Sequence, residues 1–183
     1  LPKVKPVVLK EEIAPTDVTQ EIKYKFEQVR DGIWRFKLDT NWLRNDIQRL
    51  ERRARDIANG HNDPWFSYDM RDMAYRMNRY YNDIRRFEED LKDLLEIAKK
   101  DEELNKIARD IEWYVSDIEN NFYFGVENAA RNLEYTVRSI DPNIIGYDAY
   151  WNAYDISRYA RDISRITRNL YWDARELVNK TTP

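Results

Sequence analysis

IKYKFEQVRDGIWRFKLDTNWLRNDIQRLERRARDI, residues 22–57, decides the fold. Its apolar positions are Ile22, Phe26, Val29, Ile33, Phe36, Leu43, Ile47, Leu50, Ala54 and Ile57, with Thr40 filling the one gap. Steps of three and four alternate throughout, which is the repeat of a helix that buries one stripe against partner helices. Asn59-Gly60 then supplies a C-cap.

Three further seams follow in the same rhythm. Asp63-Pro64 offers an N-cap followed by Pro at the first helical position. The seam behind it is Phe66, Met70, Met73, Met77, Tyr80, Ile84, Phe87, Leu91, Leu94 and Ala98. The third reads Leu104, Ala108, Ile111, Val115, Ile118, Phe122, Val126, Ala130, Leu133, Val137 and Ile140. Three consecutive steps of four between Ile118 and Ala130 form a stutter, expected to relax the supercoil locally. Asp141-Pro142-Asn143 and Gly146 make a break, and the last seam is Ala149, Ala153, Ile156, Ala160, Ile163, Thr167, Leu170, Ala174 and Leu177.

These patterns predict an all-α chain, an antiparallel four-helix bundle with helices over residues 17–59, 64–99, 102–140 and 147–179. Residues 1–16, with three Pro and no helical period, read as an extended N-terminal arm, and Thr16 or Asp17 caps the first helix. Lys99-Lys100 followed by Asp101-Glu102-Glu103 suits a helix end and a helix start. A tight hairpin and a continuous helix both fit that segment. The Ala-Arg-Asp-Ile tetrapeptide at 54–57, 108–111 and 160–163 falls at three different depths, so it reflects reused heptad chemistry rather than duplication.

Composition narrows the function. Four Gly and six Pro in 183 residues favour long helices, and 36 % charged with 42 % hydrophobic residues suits a chain with a real core. A net charge of −3 does not draw the chain toward nucleic acid. The basic runs at Arg49, Arg52, Arg53 and Arg55 and at Arg76, Arg79, Arg85 and Arg86 are diluted by acids such as Glu51, Asp56 and Asp83. Cysteine is absent, which removes disulfides and thiol chemistry. No apolar run is long enough to span a membrane. Leu rather than Met at position 1 leads to the expectation of an exported, processed chain.

No motif for catalysis, metal or cofactor stands out. A di-metal bundle needs inward Glu and Glu-x-x-His motifs, whereas the one His is His61, in a loop, and no seam position carries an acid. Asp148, Asp155 and Asp162 recur every seven residues, about 10 Å apart, too far to share a cation. Met70, Met73 and Met77 read as core rather than as ligands. The expectation is a chain without enzymatic activity and without a cofactor.

The tryptophans carry the functional signal. Trp34, Trp42, Trp65, Trp113, Trp151 and Trp172 all fall off the seams, at outer heptad positions, where Leu38, Tyr68, Tyr75, Phe124, Tyr147 and Tyr154 join them. Exposed aromatic area on that scale marks a contact surface. A wider buried face, with rings under Arg and Lys stems or beneath the arm residues Val4, Val7, Val8, Leu9 and Ile13, would hide them instead. The candidate binding residues are Trp34, Leu38, Trp42, Trp113, Phe124, Trp151, Tyr154 and Trp172. Trp113 with Trp172, near the 99–101 end, and Trp34 with Trp42 are the two places they concentrate. The expected partner is a protein, a second copy included; glycans and lipid headgroups are the other ligands such a surface suits. The alternative function is a lipid- or envelope-associated amphipathic protein whose helices open to expose their seams.

Overall fold

A computed structural model describes Lys3 and residues 15–183, with side chains described at Lys3 and from Thr19 onward. The chain is all-α: α1 (Pro15–Thr40), α2 (Leu43–Ala58), α3 (Phe66–Ile97), α4 (Glu102–Asn121), a π-helical turn (Phe122–Val126), α5 (Glu127–Arg138), α6 (Pro142–Ile145) and α7 (Tyr147–Thr181). Helical backbone begins at Pro15. The rest of the expected arm lies outside the described residues, Lys3 excepted, as do the side chains of Thr16 and Asp17.

Two of the expected helices are interrupted, and the interruptions face each other. The helix expected over 17–59 breaks at Asn41-Trp42. Thr40, buried in the seam, turns its hydroxyl back onto the Phe36 carbonyl at 2.9 Å, a bond that bends helices. Its own carbonyl accepts the Asn121 amide at 3.0 Å, so the break leaves that oxygen paired. The helix expected over 102–140 contains the π-helical turn where the stutter lies. Each step of four overshoots an α-helical turn by about 0.4 residue, so three steps accumulate about one surplus residue. A π turn absorbs that residue, and Ile118, Phe122, Val126 and Ala130 all stay buried. The expected relaxation of the supercoil is thus a local π turn. Gly125 in that turn lets the Arg44 stem lie close: a Cβ there would stand 2.9 Å from Arg44 Cδ.

The helix ends follow local chemistry. Gly60, at φ 94°, closes α2: its N–H reaches the Ile57 carbonyl, and the His61 N–H reaches that of Asp56, each at 3.0 Å. α3 starts two residues later than expected, at Phe66, with Trp65 at its N-cap position. The chain leaves α3 in extended backbone at Ala98, and the Asp101 side chain caps α4 by accepting from the Leu104 N–H at 3.0 Å. Residues 98–101 are therefore a hairpin rather than continuous helix. Between Asp141 and Gly146 the expected break folds into the single helical turn α6, with the Asp141 carboxylate accepting from the Asn143 N–H.

Packing closes around the four seams. Apart from Ile22, Val29 and Ala98, which are half-buried, every seam residue is buried. Phe36 meets the rings of Tyr80 and Phe87 on α3 and of Phe122 at centroid distances of 5.7, 5.8 and 6.3 Å. Buried polar groups tie the rods at other levels. Asn105 donates to the Val178 carbonyl and to the Thr181 and Thr182 hydroxyls, holding the end of α7 on α4. Glu51, buried on α2, accepts from Thr136 on α5 at 2.8 Å and pairs with Arg55 at 2.7 Å. That buried acid lies beside the seam rather than on it.

Arg53 clamps the α2–α3 connection. Its guanidinium grips Asp63 through two bonds of 2.7 and 3.0 Å and Asp69 through one of 2.6 Å. The hydrogen bonds from Arg53 hold the Asp63 carboxyl below its ordinary 3.8, helped by the Trp65 and Phe66 N–H groups. A carboxyl so depressed stabilises the fold above its ordinary value and loses that contribution as pH falls through the depressed one. Asp63→Asn is expected to cost about 1 kcal/mol at neutral pH. The gap between wild type and variant should close in acid, a trend that urea unfolding at both pH values checks.

Candidate contact surface

Most of the aromatic candidates sit on regular helix, Trp42 at the α1–α2 break and Phe124 in the π turn being the exceptions. Tyr is the largest side chain in the buried core, and all six Trp are 43–68 % exposed. The broader buried face that would have hidden them is not formed by the described residues.

Along α1 and α4 runs a ladder of ion pairs in step with the heptad. Lys23 meets Glu103 at 2.9 Å, Arg30 meets Asp110 at 3.9 Å and Lys37 meets Asp117 at 3.3 Å. Each rung advances by seven residues on both helices, so α1 and α4 are packed neighbours running parallel, where the sequence led to the expectation of antiparallel neighbours. Hydrogen bonding to Glu103 raises the Lys23 pKa, consistent with a formed rung.

Aromatic residues flank this ladder. The Trp113 ring lies beneath the Lys37 ammonium, 4.7 Å from its centroid, and touches the half-buried Tyr114. Trp34 stands one turn before Lys37 and Leu38 one turn after Trp34, both exposed. Trp42 occupies the break between α1 and α2, just ahead of Arg44. The Arg44 stem covers Gly125, and next to that glycine stands Phe124, two-thirds exposed, with the Tyr123 ring edge-on to it at 4.9 Å. The break in one rod and the π turn in the other thus present Trp42 and Phe124 at one level. Trp34, Leu38 and Trp113 stand beside the ladder, and Trp42 and Phe124 stand beyond its last rung, on α1, α2, α4 and the π turn.

The remaining candidates lie apart from these. The exposed Trp172 has its ring neighbours, Tyr171 and Arg175, on its own helix, whereas Trp113 is tied to Lys37 on α1. The Asn105–Val178 and Glu119–Arg168 contacts put Trp113 and Trp172 at about the same height on α4 and α7, while the cross-helix partner of the Trp113 ring is Lys37. Trp151 lines a groove between α3 and α7, and Tyr154 is exposed on the same stretch of α7. Sequence reasoning missed Tyr123 and Lys37: the period marks outer positions but does not say which outer positions of different helices adjoin. The seven-residue spacing shared by the Lys23, Arg30 and Lys37 set and the Glu103, Asp110 and Asp117 set was the available signal.

Among the described residues, no group of three or more His, Asp or Glu is placed to hold a metal ion, and no helix is long and apolar enough to cross a membrane. The chain matches no protein-family model, no curated protein and no solved structure with which it was compared, so the reading of this surface rests on its own residues.

Proposed function

We propose that the protein is a non-enzymatic binding protein whose helices close into a four-helix bundle and whose outer aromatic face is its contact surface. The rods are α1 with α2, α3, α4 with α5, and α7. The observation that carries the reading is the placement of Trp34, Leu38, Trp42, Trp113 and Phe124, all exposed, beside one ion-pair ladder and beyond its last rung, on a chain whose seams are closed. Large rings left in water at one place are what an interface anchor requires.

A second copy of the chain is the partner the charges favour. Lys23, Arg30 and Lys37 form a positive stripe on α1, and Glu103, Asp110 and Asp117 a negative one on α4. A two-fold axis parallel to the helices sets each stripe opposite its counterpart on the other copy, whereas an upside-down pairing sets like against like. Light scattering across a concentration series tests this. The expected mass is that of a dimer, its population weakened by salt. A monomer at every concentration would remove the second copy as partner. Gain of helicity on addition of anionic vesicles would favour instead a bundle that opens on lipid.

A further inference from the structure

A groove between α3 and α7 has a chemistry of its own. Between α3 and α7 lies a cavity of about 680 Å³, open to solvent. Tyr68 and Tyr75 stand on one wall, seven residues apart and so about 10 Å along the helix, and Trp151 stands on the other. All three rings are more than half exposed, Tyr68 with the Arg71 guanidinium over its ring. Ala74 keeps the floor between them low.

Between the rings the lining is polar. Asn78 and Asn152 bring amides that both donate and accept, Asp148 brings acceptors and Arg71 donors. Among the described residues, the side chains of Asp148 and Asn152 have no hydrogen bond or ion pair, so their capacity is open to the groove. Asp155 also lines it and is held by Arg158 at 3.4 Å. Arg71 stacks over Tyr68 at 5.5 Å. The charges therefore balance: Asp155 is paired by Arg158 from outside the lining, and Asp148 stands against Arg71 within it. Phosphate-bearing chains would meet the Asp148 and Asp155 carboxylates, and polycations would meet Arg71. Alternating ring faces and hydroxyl-matching polar groups, without net charge, suit an uncharged polyhydroxylated chain.

We propose that the α3–α7 groove binds an uncharged oligosaccharide, its sugar faces stacked on Trp151, Tyr75 and Tyr68 and its hydroxyls bonded by Asn152, Asn78, Asp148 and Arg71. This site shares no residue with the contact surface on α1, α2, α4 and the π turn, so either assignment can fail alone. The test is titration of the full chain with a panel of linear hexasaccharides (glucans of both anomeric linkages, chitin-derived, mannan-derived and xylan-derived) by calorimetry and tryptophan emission. The expected result is millimolar or tighter binding of at least one member with a change in emission. Trp151→Ala, at an exposed position the fold does not need, should weaken it at least tenfold. Trp34→Ala combined with Trp42→Ala and Trp113→Ala should leave it unchanged. No binding across the panel, binding untouched by Trp151→Ala and by Tyr75→Ala, or preference for spermine over every sugar would each overturn the proposal.

Discussion

Phe122→Ala is expected to lower the unfolding free energy by about 3–5 kcal/mol, the largest effect of any single substitution argued from this structure. Phe122 is fully buried and is one of the largest side chains in the interior. It opens the π-helical turn, and its ring stacks at 18° on Phe36, which in turn meets Tyr80 and Phe87 on α3. Removing the ring deletes its stack on Phe36 and so undercuts the cluster Phe36 makes with α3, at the level where one rod is already broken and another carries an extra residue. Collapse around the void would have to move the Thr40–Asn121 bond, so little relaxation is available. Chemical denaturation monitored by circular dichroism measures the loss. Val126→Ala, one turn further on, removes fewer atoms from an equally buried site and should cost less.

The second large effect falls on association rather than stability. Trp34→Ala, Trp42→Ala and Trp113→Ala together are expected to weaken self-association by a factor on the order of a hundred or more, since interface aromatics commonly carry about 2 kcal/mol each. The unfolding midpoint should barely move, because all three rings are exposed and none contributes to the buried core. Lys37→Glu separates the contributions further. It reverses one charge of the positive stripe, breaks the rung to Asp117 and removes the cation over Trp113. A loss of association with a reduced salt dependence would assign the stripe a role in docking. Sedimentation velocity on the wild type and both variants makes the comparison.

What the sequence revealed and what it hid have a common physical origin. A heptad pattern records which side of each helix is buried, and that is why the seams from Phe26 to Leu177 lie in the interior with few exceptions. It also records where the phase slips. The four-residue steps from Ile118 to Ala130 mark the π turn, whereas the break at Asn41-Trp42 leaves no mark, because Thr40 keeps the seam in phase from Phe36 to Leu43. How a slip is resolved depends on a neighbour, however. The Asn121 amide reaches the Thr40 carbonyl across a helix interface, and no period along either helix announces that bond. Glu51 was hidden for the same reason: in sequence it is one acid within a basic run, and only the approach of Thr136 makes it a buried acceptor. The candidate site divides likewise. That Trp34, Trp42 and Trp113 face outward was legible from phase, whereas their placement beside one ion-pair ladder and beyond its last rung needed the side-by-side packing of α1 and α4.

Tryptophan emission with acrylamide quenching, recorded on the same samples whose mass is taken by light scattering, tests the central claim most directly. With the chain diluted to monomer, the account predicts red-shifted, readily quenched emission, and protection that grows as dimer forms. The triple alanine variant should lose that concentration-dependent protection while its remaining tryptophans, Trp65, Trp151 and Trp172, stay quenchable. Blue-shifted, protected emission from the monomer would contradict it, because the rings would then be covered within one chain and there would be no aromatic contact surface.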